Sequence, residues 1–297
     1  MTLGGELLRN RAARNLLAPI RRFMLNIFWQ IAFLPKSLFT WIADRKGRHF
    51  YGSLTESDLR NARKSDAVFI CGTGLSIASI TPDEWRDIEK HDVLSFRCFP
   101  KQSFVKVGFH VTGEIDDVDE YANDINNNKL YDQSLFLVQE GLRAHMGNRL
   151  IGEKKLRIGA PLFRYRRKAR GIIAPLSKDF SDGVVHGFGS VCKAINVAYI
   201  LGWKKIVLVG IDLYDHRHFY HPPDKLRDIE KSGIALDDSY VTSAGIVDLV
   251  AMWSNCLEKE GRGIYVYNPK SLLAARIPVF EWSTLTGREE DAGVKYV

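Results

Sequence analysis

The sequence predicts an α/β protein with a Rossmann-like, doubly wound and mainly parallel sheet, helices on both faces, a small lid segment and an N-terminal helical arm. Three observations predict it. Short, fully apolar runs such as Lys205 to Asp212 (KIVLVGID) and Gly263 to Asn268 (GIYVYN) have the make-up of strands buried on both faces. Helical 3.6-residue patterns precede each of them, with Val191, Ala194, Ile195, Ala198 and Leu201 in the first and Ile246, Leu249, Val250, Trp253 and Leu257 in the second. Their alternation implies parallel strands joined by covering helices.

The elements follow in order. Ala67 to Gly72 is an apolar run ending in glycine, a first buried strand. Thr81, Pro82, Asp83 and Glu84 supply a capping hydroxyl, a proline at the first helical position and first-turn acids, so a helix starts there. Asp92 to Phe99, Phe104 to Thr112 and Ser134 to Gln139 read as further strands. The catalytic-type domain is expected over 67–280, after a polar linker at 49–66 and before a tail at 281–297.

Charge is distributed unevenly. The chain of 297 residues carries a net charge of +7, and residues 1–48 alone hold nine Lys or Arg against Glu6 and Asp44. The remainder is neutral, so the basic excess belongs to the arm and not to a nucleic-acid-binding surface. Within the arm, Phe23 to Ala43 is aromatic and aliphatic but broken by Asn26, Gln30, Pro35 and Lys36. That pattern suits amphipathic helices lying on an anionic membrane surface better than a spanning helix. Packing on the chain's own domain or on a sister subunit, in a homo-oligomer, is the alternative. Cys71, Cys98, Cys192 and Cys256 are widely spaced in apolar contexts and read as reduced. With no clear cleavable leader, the expected location is cytoplasmic, peripheral on the inner membrane face.

Ligands of such a sheet bind beyond the carboxyl ends of its strands. Gly72, Thr73, Gly74 and Ser76 follow the first strand, a turn in which glycines let a phosphate or ribose approach the backbone, or a purely structural turn. After KIVLVGID come Asp212, Tyr214, Asp215, His216, Arg217, His218, Tyr220 and His221, closed by Pro222 and Pro223. Four readings stay open for this loop: metal binding by the three histidines, general-base duty for one of them, anion binding with Arg217, or a solvated loop. Glu153 to Arg170 holds eight Lys or Arg with Phe163 and Tyr165 interleaved, and it is read as part of a lid around 150–185 closing on an anionic donor, or as a solvated loop.

Four stretches together carry a family resemblance: ICGTGLS near 70, FRC at 96–98, GSVCKAINVAYILGWKKIVLVGIDLY at 189–214 and NPKSLLA at 268–274. With these the chain resembles the Campylobacter-type bacterial sialyltransferases that use CMP-sialic acid. The resemblance implies a metal-independent glycosyltransferase with a CMP-sugar as donor substrate, a glycan or glycolipid acceptor and no cofactor. It implies nucleotide binding by Gly72, Thr73, Gly74, Ser76, Gly189, Ser190 and Asp212. Tyr214 and Tyr220 match two tyrosines that hydrogen-bond the departing phosphate. The chain departs from the family at Phe99, where an amide is expected, at Thr73, where Asn is expected, and near Thr242 to Gly245, where the base histidine is missing. His216, His218 or His221 is then expected to serve as base. The rival functions are a Mg²⁺-dependent pyrophosphokinase or related phosphotransferase and a non-catalytic nucleotide-binding scaffold.

Overall fold

The structure, a computed structural model, describes residues 35, 37–113, 117–142, 144–168, 174–214, 217–231 and 245–286. A helix at 37–47 (α1) precedes strand β1 (Gly52–Ser53) and helix α2 (Glu56–Asn61). The order continues β2 (Ala67–Cys71), α3 (Pro82–Glu89), β3 (Asp92–Phe96), β4 (Phe109–Val111), α4 (Val118–Asn127), β5 (Leu135–Glu140), α5 (His145–Gly152) and β6 (Pro161–Arg166). It closes with α6 (Ser190–Leu201), β7 (Lys205–Val209), α7 (Pro223–Lys231), α8 (Ile246–Glu258), β8 (Gly263–Val266) and a short α9 (Ser283–Thr286).

All eight strands form one sheet in the order β1-β6-β5-β4-β3-β2-β7-β8, and every neighbouring pair is parallel. The period-2 alternation of buried strands sorts the core into two layers. Val68, Ile70, Leu94, Phe96, Ile206 and Leu208 face α2, α6 and α8. Phe69, Cys71, Val93, Val207 and Val209 face α3, α4 and α5. The fold expected from the sequence is therefore the fold observed. After β2 the chain winds toward β6, and α6 then carries it back across to β7 on the other side of β2. That reversal opens a crevice at the carboxyl ends of β2 and β7.

The local signals act as the sequence suggests at α3. Thr81 Oγ1 accepts from the Glu84 amide and the Glu84 carboxylate accepts from the Thr81 amide, a reciprocal cap that satisfies two otherwise orphaned N–H groups.

Two regions differ from expectation. The segment read as a linker, 49–66, contains β1 and the capped helix α2, with Leu59 fully buried. The basic segment read as a lid contributes β6, an inner strand between β1 and β5, with Phe163 and Tyr165 buried. Four of its cations are held in ion pairs: Lys155 with Asp119 at 2.5 Å, Arg157 with Asp132, Arg166 with Glu140 at 3.2 Å, and Arg164 with Asp44 at 2.7 Å. Residues 169–173 of that segment lie outside the described residues.

Of the arm, only residue 35 and residues 37–48 are described. Asp44 is fully buried, accepts two bonds of 2.7 Å from the Arg164 guanidinium and pairs with Arg48 at 2.8 Å. Gly47 and Gly152 allow the backbones of α1 and α5 to touch, since a Cβ on Gly152 would meet Ala43 C at 2.7 Å. This stretch thus packs on its own domain, while Leu38, Phe39 and Ile42 remain 45%, 75% and 42% exposed. No described helix is long and apolar enough to cross a membrane.

Candidate functional site

The crevice is organised by one carboxylate. Asp212, three residues past β7 and 4% exposed, accepts from Ser76 N at 2.9 Å, Ser76 Oγ at 2.5 Å and Asn268 Nδ2 at 2.9 Å. It thereby ties together the loops after β2, β7 and β8. The NPKSLLA stretch completes the knot, with Ser271 Oγ donating to Ile211 O at 2.6 Å and Leu272 N to Asp212 O at 3.2 Å. A carboxylate with both oxygens committed acts as a brace for these loops.

The glycines of the first turn are explained by the same closeness. A Cβ on Gly72 would meet the Gly210 carbonyl at 2.7 Å and collide with Ile211 Cδ1, and one on Gly74 would collide with the Asp212 carboxylate. Gly74 keeps φ at −59°, so it is the space and not the dihedral that demands glycine. The turn backbone bonds to β7, through Gly72 N to Val209 O and Gly74 N to Gly210 O, both 2.8 Å.

The loop after β7 returns to this turn. Gly74 and His218 form an antiparallel bridge, and Phe219 N donates to Thr73 O at 3.1 Å. His218 Nδ1 lies 3.0 Å from Thr73 Oγ1 and 3.3 Å from Thr73 O. The His218 ring stacks on Tyr220, with centroids 5.3 Å apart and planes 8° apart. His221 sits beside both rings and accepts a long bond of 3.4 Å from His218 N through its Nδ1. Burial, assisted by Lys225, lowers the His221 pKa.

Tyr220 reaches across to the loop after β3. Its phenol is hydrogen-bonded with Cys98, and burial and this thiol push its pKa up to about 12 against the opposing charges of Arg97 and Lys101. At neutral pH it is a neutral O–H donor. Phe99, where the family resemblance leads one to expect an amide, is fully buried and packs edge-on against Phe219 at 6.0 Å. Its ring braces the His218–His221 loop from below.

A third group gathers where α6 begins. A Cβ on Gly113, just past β4, would meet Ser190 Oγ at 3.1 Å, Arg97 Cγ at 3.3 Å and Lys193 Nζ at 3.8 Å. Gly189 has open space around it, and Ser190 is the first helical residue, so the positive end of the helix dipole lies in the same region. Lys193 is 1% exposed, a buried amine on a helix whose buried residues are otherwise apolar except for Asn196.

The structure thus joins Gly72, Thr73, Gly74, Ser76, Asp212, His218, Tyr220 and His221 in one hydrogen-bonded and stacked assembly. Gly189 and Ser190 stand at the neighbouring start of α6, with Arg97 linking the two groups through Gly113 and Tyr220. Tyr214 follows the Leu213 turn, at φ 63°, and is half-buried. His216 and residues 242–244 lie outside the described residues. Among the described residues no group of three or more His, Cys, Asp or Glu side chains could hold a metal ion. Reading for strand ends missed Arg97, Lys101, Lys193 and Asn268. Lys193 carried a signal, a charge on the buried face of an amphipathic pattern, while Arg97 and Asn268 lay inside motifs noted only for their likeness.

No protein-family model matches the chain, and no curated protein sequence does. Among solved structures, the sialyltransferase CstII from Campylobacter jejuni in complex with a substrate analogue, CMP-3FNeuAc, is 16% identical, with 72% of this chain and 85% of that chain covered at a TM-score of 0.42. A tyrosine-to-phenylalanine variant of sialyltransferase CST-II in complex with CMP is 17% identical over 72% and 85%, at 0.43. The monofunctional alpha-2,3-sialyltransferase Cst-I from Campylobacter jejuni is 14% identical over 72% and 80%, at 0.37.

Proposed function

We propose that this protein is a sialyltransferase-like glycosyltransferase, moving an acidic keto sugar from a CMP-activated donor to a hydroxyl of a glycan or glycolipid acceptor, with inversion and without a metal ion or other cofactor. The observation that carries the reading is Tyr220: a neutral phenol, half-buried at the strand-end crevice and fastened through stacked His218 to the Gly72–Ser76 turn. A donor of this kind is suited to a phosphate that gains charge as the glycosidic bond breaks. The acidic character of the sugar is supported by Arg97 and Lys193, which approach Gly113 through Cγ and Nζ beside the Ser190 hydroxyl. Positive charge on these two side chains favours a carboxylate beside the anomeric centre.

In the reaction the acceptor oxygen forms a bond to the anomeric carbon from the face opposite the phosphate. The bond from that carbon to the phosphate oxygen breaks, and its electron pair leaves with CMP. Tyr220 and Tyr214 donate hydrogen bonds to the departing phosphate, and a histidine of the same loop takes the acceptor proton. Ser76 and the braced turn hold the nucleotide. The arm places this chemistry at the inner membrane surface, supported by exposed Leu38, Phe39 and Ile42 beside Arg45 and Lys46.

The test is CMP release from a CMP-sialic acid donor with lactose-type and glycolipid acceptors, in EDTA. Replacing both Tyr214 and Tyr220 with Phe should lower kcat by about 10² to 10³ while leaving the melting temperature nearly unchanged. Full turnover in that double variant refutes the role of the phenols. Turnover that requires ATP and Mg²⁺ would instead identify a phosphotransferase.

A further inference from the structure

The parallel arrangement that gathers strand ends at the crevice also gathers strand starts at the opposite edge of the sheet. Lys64 lies just ahead of β2, Asp92 opens β3, Lys106 lies just ahead of β4 and Lys129 precedes β5, and these four strands are consecutive neighbours. The loops there border a cavity of about 410 Å³ whose apolar wall includes Val107, Phe109, Leu130 and Leu135. That volume falls within the range of small-molecule sites.

Three lysines, Asp92 and Asp132 supply the charge of the lining, and the two signs are differently engaged. Asp92 is fully buried, and its oxygens accept from Lys64 N, Ser65 N and, at 2.8 Å, Trp203 Nε1. Asp132 pairs with Arg157. The lysines are held loosely. Lys64 Nζ donates to the Glu89 carbonyl at 3.4 Å, Lys106 Nζ stands 4.0 Å from the Glu89 carboxylate on a side chain 77% exposed, and Lys129 forms no ion pair among the described residues. An exposed lysine has a flexible stem and three donors, so these ammonium groups can turn onto an anion without giving up a strong bond.

Gly108 is the second sign of a ligand. A Cβ there would meet nothing nearer than Val93 O at 3.7 Å, an ordinary contact, and its φ is not positive. Neither packing nor backbone conformation requires glycine, in contrast to Gly72 and Gly74, and the missing side chain widens the cavity.

We propose that this edge is a second ligand site, taking a small organic phosphate whose anionic group is met by Lys64, Lys106 and Lys129 and whose carbon body lies against Gly108 and the apolar wall. A phosphate monoester brings up to two negative charges and several acceptor oxygens to three cations. The carboxylates of the lining do not compete, because their oxygens are already engaged within the protein. The site lies across the sheet from Asp212 and Tyr220, so its occupancy is independent of the transferase reading.

The test is a titration of the ¹⁵N-labelled full chain with phenyl phosphate and with inorganic pyrophosphate, followed by amide shifts. Both probes should give saturable shifts at Val107, Gly108 and Leu130. Replacing Lys106 and Lys129 together with Ala should weaken both by at least about tenfold. Gly108→Val should weaken phenyl phosphate severalfold and leave pyrophosphate unchanged, with a melting temperature near wild type. Shifts that do not saturate, or that survive the double lysine variant, overturn the proposal. An equal response to sulfate would show an adventitious ion only. Vesicles containing phosphatidic acid present the same group on a lipid, and a response to them with none to phenyl phosphate overturns the small-molecule assignment.

Discussion

At the scale of single residues, Asp212 illustrates how a side chain expected at a ligand serves the protein first. Its two oxygens accept from the amide and hydroxyl of Ser76 and from Asn268, so that one carboxylate joins two loops far apart along the chain. Asn in its place would turn an amide N–H toward donors, leaving buried polar groups unpaired. Asp212→Asn should therefore cost about 2 to 3 kcal/mol, read as a lowered denaturation midpoint with an unchanged m-value. A midpoint equal to wild type would show that the loops do not depend on this carboxylate. Gly72 and Gly74 carry a related lesson. Their glycines are visible in the sequence, but their reason is the Gly210 carbonyl and the Asp212 side chain, partners that stand more than 130 residues away along the chain.

Among the elements, β4 is fixed by a buried imidazole. His110 Nδ1 meets Ser95 Oγ on β3 at 2.6 Å, His110 Nε2 meets the hydroxyl of Tyr121 on α4, and Ser95 Oγ meets the hydroxyl of Tyr131 at 3.0 Å. Burial pushes the His110 pKa down to about 3 from its ordinary 6.5. The unfolded chain therefore binds a proton below about pH 6.5 that the folded chain refuses. Stability falls as pH drops through this window, by about 1.4 kcal/mol per unit at full slope, and the loss levels off near the folded value. Burial lowers His91 and His221 in the same direction, so comparison with a variant isolates the effect. Urea unfolding at pH 5.0, 5.5, 6.0 and 6.5 should give a shallower acid slope for His110→Gln than for wild type. Parallel slopes would remove His110 as the source.

On the scale of the whole molecule, the described end of the arm is part of the domain, and the proposed membrane role has to be separated from that. The helix at 37–47 is anchored by Asp44 between Arg164 and Arg48, and removing it would leave the Arg164 guanidinium, which is 17% exposed, with Glu140 as its remaining ion-pair partner. The membrane role must therefore be tested by a cut ahead of residue 35, which leaves Asp44 in place. A chain beginning there should keep its melting temperature and lose most co-sedimentation with anionic vesicles, since the cut removes Arg9, Arg11, Arg14, Arg21, Arg22 and the apolar run from Phe23 and leaves only the smaller contact of Leu38, Phe39 and Ile42. Undiminished vesicle binding by that shortened chain would place any membrane contact elsewhere.

The parallel sheet was legible in the sequence because its central strands are unbroken aliphatic runs preceded by periodic helices, a pattern that few other architectures accommodate. Strand β6 was not, because Arg164 and Arg166 alternate with Phe163 and Tyr165 and their partners, Asp44 and Glu140, lie far along the chain. In isolation, such a segment reads as a solvated basic loop. Strand β1 was hidden by its brevity. Of the site, the glycine turn, Asp212, Tyr220 and the histidine loop could be named from strand ends and likeness of motif, because crevice position follows from sheet topology.

What the amino-acid sequence by itself determined is the doubly wound parallel fold, the edge of the sheet where the crevice lies and the residue types present there, since burial patterns and turn residues are local properties of the chain. Only the tertiary structure decided what each of those residues does. Asp212 braces, Phe99 packs against Phe219, Lys193 and Arg97 approach Gly113, and Thr73 meets His218, because hydrogen-bond partners and close approaches are set by distances between segments that the order of residues does not contain.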